Sequence, residues 1–378
     1  MQSFRHQVIS VNEEARKASY AHWDSLAKPL GSLGMLEDMV AHIAAVSGSP
    51  DVCLDRRTLL VLCGDHGVVG NGVTQTGASV TAAVAKAIGE STSTISYLAA
   101  GQNIDVIPVD VGMLPHPDFP GVQSRNVRPG TADLSKEPAM TREECLQAIR
   151  TGIDLVREEK KKGTQIVLTG EMGIGNTTAT SAVASVLLSR EPEEMTGRGS
   201  GLSSDGLTKK IACIKEGIDC NKPDPEDVID VLSKVGGIEL AALCGVCLGG
   251  AVYRMPILLD GVITFAAALC AVRIQEKPML MEEVLFADLS AGEGSKESAL
   301  VEMYAVRDVL IASHMSAEPS AGYLAEALKL SAPINAGMRL GEGSGAVAAL
   351  LLLDMALREY QSAHTFDVLG IEAYTPQG

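Results

Sequence analysis

The chain has 378 residues, 46% of them hydrophobic but only 3% aromatic, and a formal net charge of −16. That length accommodates one large α/β domain, alone or with a small satellite, whose core must be built from Ala, Val, Leu and Ile. So negative a charge argues against nucleic acid or an anionic membrane as a main partner, since both need a basic face, yet it leaves room for a phosphate held by local amides and a few cations.

In chain order, MQSFRHQVIS carries no apolar h-region, so no export signal is expected. From Val8 to about Gly48 the pattern is helical, broken by a turn at Lys28-Pro29-Leu30-Gly31-Ser32. Beyond it, short β-rich runs (RRTLLVLCGDHG, NIDVIPVDVG, TQIVLTGE, MPILLDG, VRDVLIASH) alternate with longer helical patterns. The helical ones include ASVTAAVAKAIGESTSTISYLAA, REECLQAIRTGIDLVREEKKK and EDVIDVLSKVGGIELAALCGVCLGGAVY. Such alternation predicts a parallel sheet covered by helices on both faces, with ligands bound at the carboxyl ends of the strands. Asp65-His66, Asp110, Glu171, Asp260 and His314 all fall at or just past such ends.

The segment Gln275 to Tyr304, with its LSAGEGSKES, reads as a surface excursion. The last apolar stretch, AVAALLLLDMAL, is too short to span a bilayer. The expected layout is N-terminal helices over 1–50, a large α/β domain over 51–345, and a C-terminal helix over 346–378 that returns to form a small helical lobe with the N-terminal end. The eight cysteines lie in apolar segments and are expected to be reduced core residues, including the CxxC of Cys244 and Cys247 in a buried helix. This usage predicts a cytoplasmic protein.

Three glycine-rich segments could carry chemistry. In TGEMGIGNTTATSA, a strand, a turn and a helix place Gly173, Gly175, Asn176 and Thr177 where helix-start amides and hydroxyls suit an anion. A plain turn capped by Asn and Thr fits the same residues. Neither Walker A nor GxGxxG spacing is present, so a dinucleotide is not indicated. The carboxylate of Glu171 stands at the lip of that loop, where a phosphate alone would be repelled. TGRGSGLSSDGLTKKI offers Gly199, Gly201, Arg198 and Lys210, either as a second ligand loop or as a flexible connection. In MRLGEGSGAVAAL, Glu342 between glycines ahead of a helix is either a cap or a general base. Asp65 and His66 lack a third ligand at fixed spacing, so no metal is expected. His66 reads as a structural hydrogen-bonder.

Taken as a set, KPLGSLGMLE, GDHGVVGNGVTQTGASVT, GEMGIGNTTATSA, GRGSGL, VLSKVGGIELAALCGVCLGGA, PILLDGVITFAAAL, SHMSAEPSAG and MRLGEGSGAVAALLLLDMA resemble the nicotinate-nucleotide–dimethylbenzimidazole phosphoribosyltransferase family, from about Lys28 to Ala356. The resemblance implies a Rossmann-like parallel sheet flanked by helices and a homodimer without cofactor or metal. It also implies transfer of 5-phosphoribose from nicotinate mononucleotide to 5,6-dimethylbenzimidazole, with inversion, in cobamide lower-ligand assembly. By similarity Glu342 is the general base, while Glu171 and Asp260 support positive charge at the ribose and Lys210 offsets donor charge. Gly173, Gly175, Asn176, Thr177, Gly199, Gly201 and Ser316 resemble donor-binding positions. Ser79, Met172 and Leu340 lie where the family forms its base pocket. Ala83 and Val84 stand where family members often carry a Gln, which leaves the accepted base open. Another benzimidazole, a purine or a phenol is the alternative acceptor, and a non-catalytic nucleotide-binding regulator is the alternative from another class.

Overall fold

The computed structural model describes residues 5–114, 118–199, 201–286 and 300–375. In chain order its strands are β1 (Arg5–Ile9), β2 (Arg57–Gly64), β3 (Ile104–Gly112), β4 (Gln123–Ser124), β5 (Ile166–Met172), β6 (Ile257–Leu259), β7 (Leu300–Tyr304) and β8 (Leu310–Ala312). The helices of the first half are α1 (Glu13–Ser25), α2 (Met35–Ser47), α3 (Ser79–Gly89), α4 (Thr94–Ala99), α5 (Arg142–Lys162), α6 (Asn176–Leu188) and α7 (Pro192–Met195). Those of the second are α8 (Ser204–Asn221), α9 (Val228–Val235), α10 (Ile238–Tyr253), α11 (Val262–Gln275), α12 (Pro278–Phe286), α13 (Ser320–Leu328), α14 (Ser344–Ser362) and α15 (Phe366–Leu369).

Six strands form one parallel sheet in the order β4-β3-β2-β5-β6-β8. The chain builds outward from β2 in one direction, then returns to its other side with β5. Between β2 and β5 the winding reverses, and there the loops leaving the two strands part to open a crevice at their carboxyl ends. This is the Rossmann-like sheet expected from the strand–helix alternation.

Both faces of the sheet are buried, as a parallel sheet requires. Leu60 and Leu62 of β2 face a core shared with α5, α10 and α11, whereas Leu59, Val61 and Cys63 face one shared with α2 and α14. The scarcity of aromatics has a direct packing counterpart where α5 crosses α10. A Cβ at Gly152 would stand 1.9 Å from the carbonyl oxygen of Ala242, and one at Gly245 would stand 1.8 Å from that of Ile149. Two glycines thus let the helices touch backbone to backbone.

The chain ends meet. The Nε2 of His22 lies 2.7 Å from the carbonyl oxygen of Tyr360, the Trp23 and Tyr360 rings pack edge-on at 4.8 Å, and Leu26 bridges to Thr365. Residues of α1, α2 and α14 share one hydrophobic cluster with the second face of the sheet.

Several expectations need correction. Val8 and Ile9 are not helical but belong to β1, which pairs in parallel with β7 as a separate two-stranded sheet. The excursion from Gln275 to Tyr304 contains α12 and β7, while its LSAGEGSKES (289–298) lies outside the described residues. Of the three long helical patterns, REECLQAIRTGIDLVREEKKK is the single helix α5, whereas the other two are each two helices, because Gly236-Gly237 separates α9 from α10 and residues 90–93 separate α3 from α4. Of the VRDVLIASH run only Leu310–Ala312 is strand; Val306–Val309 forms a 3-10 turn. All eight cysteines are unpaired, but Cys53 and Cys220 are exposed rather than core, since one precedes β2 in coil and the other ends the outer face of α8.

Replacing Gly245 by Ala forces α5 and α10 apart. The expected loss is about 1–3 kcal/mol or more, as for an overpacked core, read as a lower midpoint in denaturant unfolding.

Candidate functional site

At the end of β5 the chain turns sharply past β2. A Cβ at Gly173 would lie 2.4 Å from the Gly64 carbonyl oxygen, and one at Gly175, whose φ is +97°, would lie 3.0 Å from the Cβ of His66. Only glycine passes at either point. The turn is fixed by the amide of Ile174, which donates to Thr81 Oγ1 of α3 at 3.1 Å. Two of the first amides of α6 are already used, Asn176 donating to Gly173 and Thr178 to Gly175.

Helix-start amides are therefore not the only polar groups presented at this loop. Lys210, buried within α8, reaches the loop from below and donates to Thr177 Oγ1 at 2.7 Å and to the Gly197 carbonyl at 3.3 Å. Burial lowers its ammonium pKa to about 8, with the Glu318 carboxylate pulling the other way. Gly199, at φ +54°, lies over this pair: a Cβ there would be 3.1 Å from Thr177 Oγ1 and 3.7 Å from Lys210 Nζ. The carbonyl of Gly201 accepts from Gln75 Nε2, tying the second glycine loop to the one after β2.

Across the cleft stand three carboxyls. Glu171 is buried, and Asn176 Nδ2 donates to its Oε2. Burial raises its pKa well above the carboxylate range, reinforced by the charges of Asp260, Glu239 and Glu342. Asp260 follows β6 and is spoken for at both oxygens. Its Oδ2 accepts from the Gly343 amide at 3.1 Å, and its Oδ1 from those of Gly345 at 2.7 Å and Ala346 at 3.3 Å. Burial pushes its pKa up against the pull of His314 and these amides.

Glu342 precedes α14 in a run of three left-handed residues, at φ +81° for Gly341, +60° for Glu342 and +89° for Gly343. For a non-glycine residue that conformation costs about 1–2 kcal/mol, so the surroundings must impose it. They do: the Glu342 amide donates to the Glu171 carbonyl at 3.2 Å, and Gly170 has no side chain to block the passage. Its carboxyl is buried, and Oε2 has no hydrogen-bond partner among the described residues. Burial raises its pKa, the Ile95 amide of α4 lowers it, and the Asp260 charge raises it further.

Glu171, Asp260, Lys210 and the turn from Gly173 to Thr177 line a cleft of about 150 Å³ at the switch point of the sheet. A phosphoribosyltransferase family model matches residues 8–303 and 298–371. The nicotinate-nucleotide–dimethylbenzimidazole phosphoribosyltransferase of Ruminiclostridium cellulolyticum is 40% identical over 369 residues, 98% of this chain and 97% of its own. The chain belongs to that phosphoribosyltransferase family. The enzyme of the same name from Acetivibrio thermocellus is 40% identical over 94% of this chain and 93% of its own. The crystal structure of CobT from Thermus thermophilus matches with a TM-score of 0.83 and 33% identity, covering 96% of this chain and 100% of that one.

Most of the positions that the family resemblance singles out line this one cleft. Glu171, Asp260 and Lys210 do, as do Gly173, Gly175, Asn176, Thr177 and Gly199, together with Ser316, Met172 and Leu340. Three others stand apart. Glu342 lies directly behind the wall formed by Gly341, Gly201 is exposed at its tie to Gln75, and Ser79 is an exposed first residue of α3 outside the cleft. Thr81, two residues on, is the one that bonds the turn. His66 is the structural hydrogen-bonder expected, its Nε2 being 2.8 Å from Glu239 Oε1. Sequence reading did not single out Glu239, Glu318 or Arg339. Glu239 could have been suspected as a carboxylate inside an otherwise apolar run, but a lone Glu318 or Arg339 carries no pattern.

The lowered pKa of Lys210 gives a signed expectation. Its charge is disfavoured by the fold, so stability rises as pH climbs from about 8 toward the unfolded lysine value, while attraction for an anion is lost over the same range. Isothermal titration of a nucleoside monophosphate between pH 7 and 9.5 should show weakening affinity past pH 8 in the native protein. Lys210→Met should bind weakly and with no such slope.

Proposed function

We propose that this protein transfers 5-phosphoribose from nicotinate mononucleotide to 5,6-dimethylbenzimidazole, giving α-ribazole 5′-phosphate and nicotinate for cobamide lower-ligand assembly. Curated relatives covering nearly the whole chain bear the name of that activity. The observation that carries the reading is the carboxyl of Glu342, buried and, among the described residues, unpartnered at Oε2, behind a cleft whose other end holds Lys210 against Thr177.

The donor's phosphate takes the Thr177–Lys210 end, beneath Gly199. Its ribose then lies toward Glu171. As the bond from C1′ to the pyridine nitrogen lengthens, positive charge grows on the sugar. Crowded carboxyls with raised pKa values favour a nearby cation, so Glu171 stabilises that charge most when it is greatest. The azole nitrogen attacks C1′ from the opposite face, and the ring N–H passes its proton to Glu342. Asp260 serves mainly by position: with both oxygens bonded to the start of α14, it fixes where Glu342 stands. Met172 and the exposed Leu340 offer an apolar grip that fits a planar ring and discriminates weakly between rings differing by a methyl.

Glu342→Gln should lower kcat by roughly 10²–10⁴-fold with donor affinity nearly unchanged. The acid limb of the native pH–rate profile should lie above the ordinary carboxylate range. Both are read by product chromatography on a panel of benzimidazoles, purines and phenols. If no benzimidazole is consumed while another ring is, the acceptor assignment fails.

The protein acts in the cytoplasm as a homodimer. The unpaired cysteines suit a reducing compartment. Tyr97 and Leu98 of α4, with Leu351 and Met355 of the adjoining α14, expose an apolar face that a second copy would cover. Sedimentation equilibrium should give twice the chain mass, and Met355→Glu should shift it toward the monomer.

A further inference from the structure

The donor presents two anionic groups to the cleft, the phosphate and the carboxylate of its pyridine ring. A carboxylate approaching Glu171, Asp260 and Glu342 would be repelled without a cation at that end. Three cations line the cleft. Lys210 is taken up with Thr177 at the phosphate end. Arg198 donates to the Leu202 carbonyl at 2.7 Å and to Ser204 Oγ at 3.1 Å. Arg339 has no hydrogen bond or ion pair among the described residues and is exposed on the cleft wall beside Leu340.

Its backbone, by contrast, is held on both sides. The Met338 carbonyl accepts from the Ala317 amide at 3.1 Å, and the Glu342 amide donates to Glu171 at 3.2 Å. Upstream, Ile334 bridges to His314. A pinned strap thus presents on the cleft wall a guanidinium without a partner among the described residues, two residues before Gly341, where a Cβ would lie 2.4 Å from Glu171 Oε1. A guanidinium matches a carboxylate with two parallel N–H bonds and makes no such match with an amide.

Resting on the transfer reading above, we propose that Arg339 is the residue that selects the donor: it pairs with the carboxylate of the departing pyridine ring and so prefers nicotinate mononucleotide to nicotinamide mononucleotide. When the C1′–N bond breaks, its electron pair goes to the ring nitrogen and the pyridinium becomes a neutral pyridine. The ring and its carboxylate together change from no net charge to −1. Attraction to Arg339 therefore strengthens along the reaction, which aids departure as well as binding.

The test compares kcat/KM for the two mononucleotides, with 5,6-dimethylbenzimidazole as acceptor, in the native protein, Arg339→Lys and Arg339→Ala. Nicotinate and nicotinamide are also titrated alone as binding probes. The native protein should favour the nicotinate donor. Arg339→Ala should lose roughly 10- to 100-fold with that donor and within about threefold with the amide, and Arg339→Lys should fall between. Arg339→Ala should likewise lose affinity for nicotinate but not for nicotinamide. An equal fall with both donors, or no native preference, overturns the proposal while leaving the transfer reading intact. Failure of the native protein to use either donor defeats the transfer reading instead, and the binding titrations then decide the role of Arg339 alone.

Discussion

The grip of Asp260 on the first amides of α14 is the contact on which the site depends. β6 delivers the carboxylate to the carboxyl edge of the sheet, and the amides of Gly343, Gly345 and Ala346 close on it. A helix start carries partial positive charge, so a buried carboxylate there is both satisfied and satisfying. Because Glu342 sits one residue before Gly343, the same contact sets its position. The left-handed run around it follows, since the chain must reverse between its bond to Glu171 and its anchor on Asp260.

Charge is divided along the cleft in a way that suits a zwitterionic reactant. One end offers Lys210 and a hydroxyl, the other three carboxyls whose ionisation is resisted by burial and by each other. Such a group of acids titrates as a unit, so the proton count of the cleft responds to whatever cation or anion enters it. The protein as a whole is strongly acidic, yet Arg198, Lys210 and Arg339 line the cleft.

What was legible in the sequence was what is local. The TQIVLTGEMGIGNTT run contains its own strand, its turn glycines and its helix start, so loop and flanking elements followed from spacing. The alternation of elements predicted the sheet, and the sheet predicted where a ligand would bind. What stayed hidden depends on distant partners. Nothing near Val8 announces that it pairs with Met303, and a strand of two residues such as β4 exists only because β3 lies beside it. Asp260 looked like another electrostatic acid because its partners lie more than eighty residues onward. The family resemblance put Ser79 in the base pocket, but the first turn of α3 points it to solvent, while Thr81 supports the loop.

The pairing of β1 with β7 bears on how the chain is made. Arg5 lies beside Leu300, so the first strand finds its partner only after most of the polypeptide has left the ribosome. At roughly 5–20 residues per second, that leaves the leading segment waiting about 15 to 60 s with an unsatisfied edge. During synthesis β1 is therefore without its partner until β7 has emerged, and the contacts of Trp23 with Tyr360 and of Leu26 with Thr365 form later still.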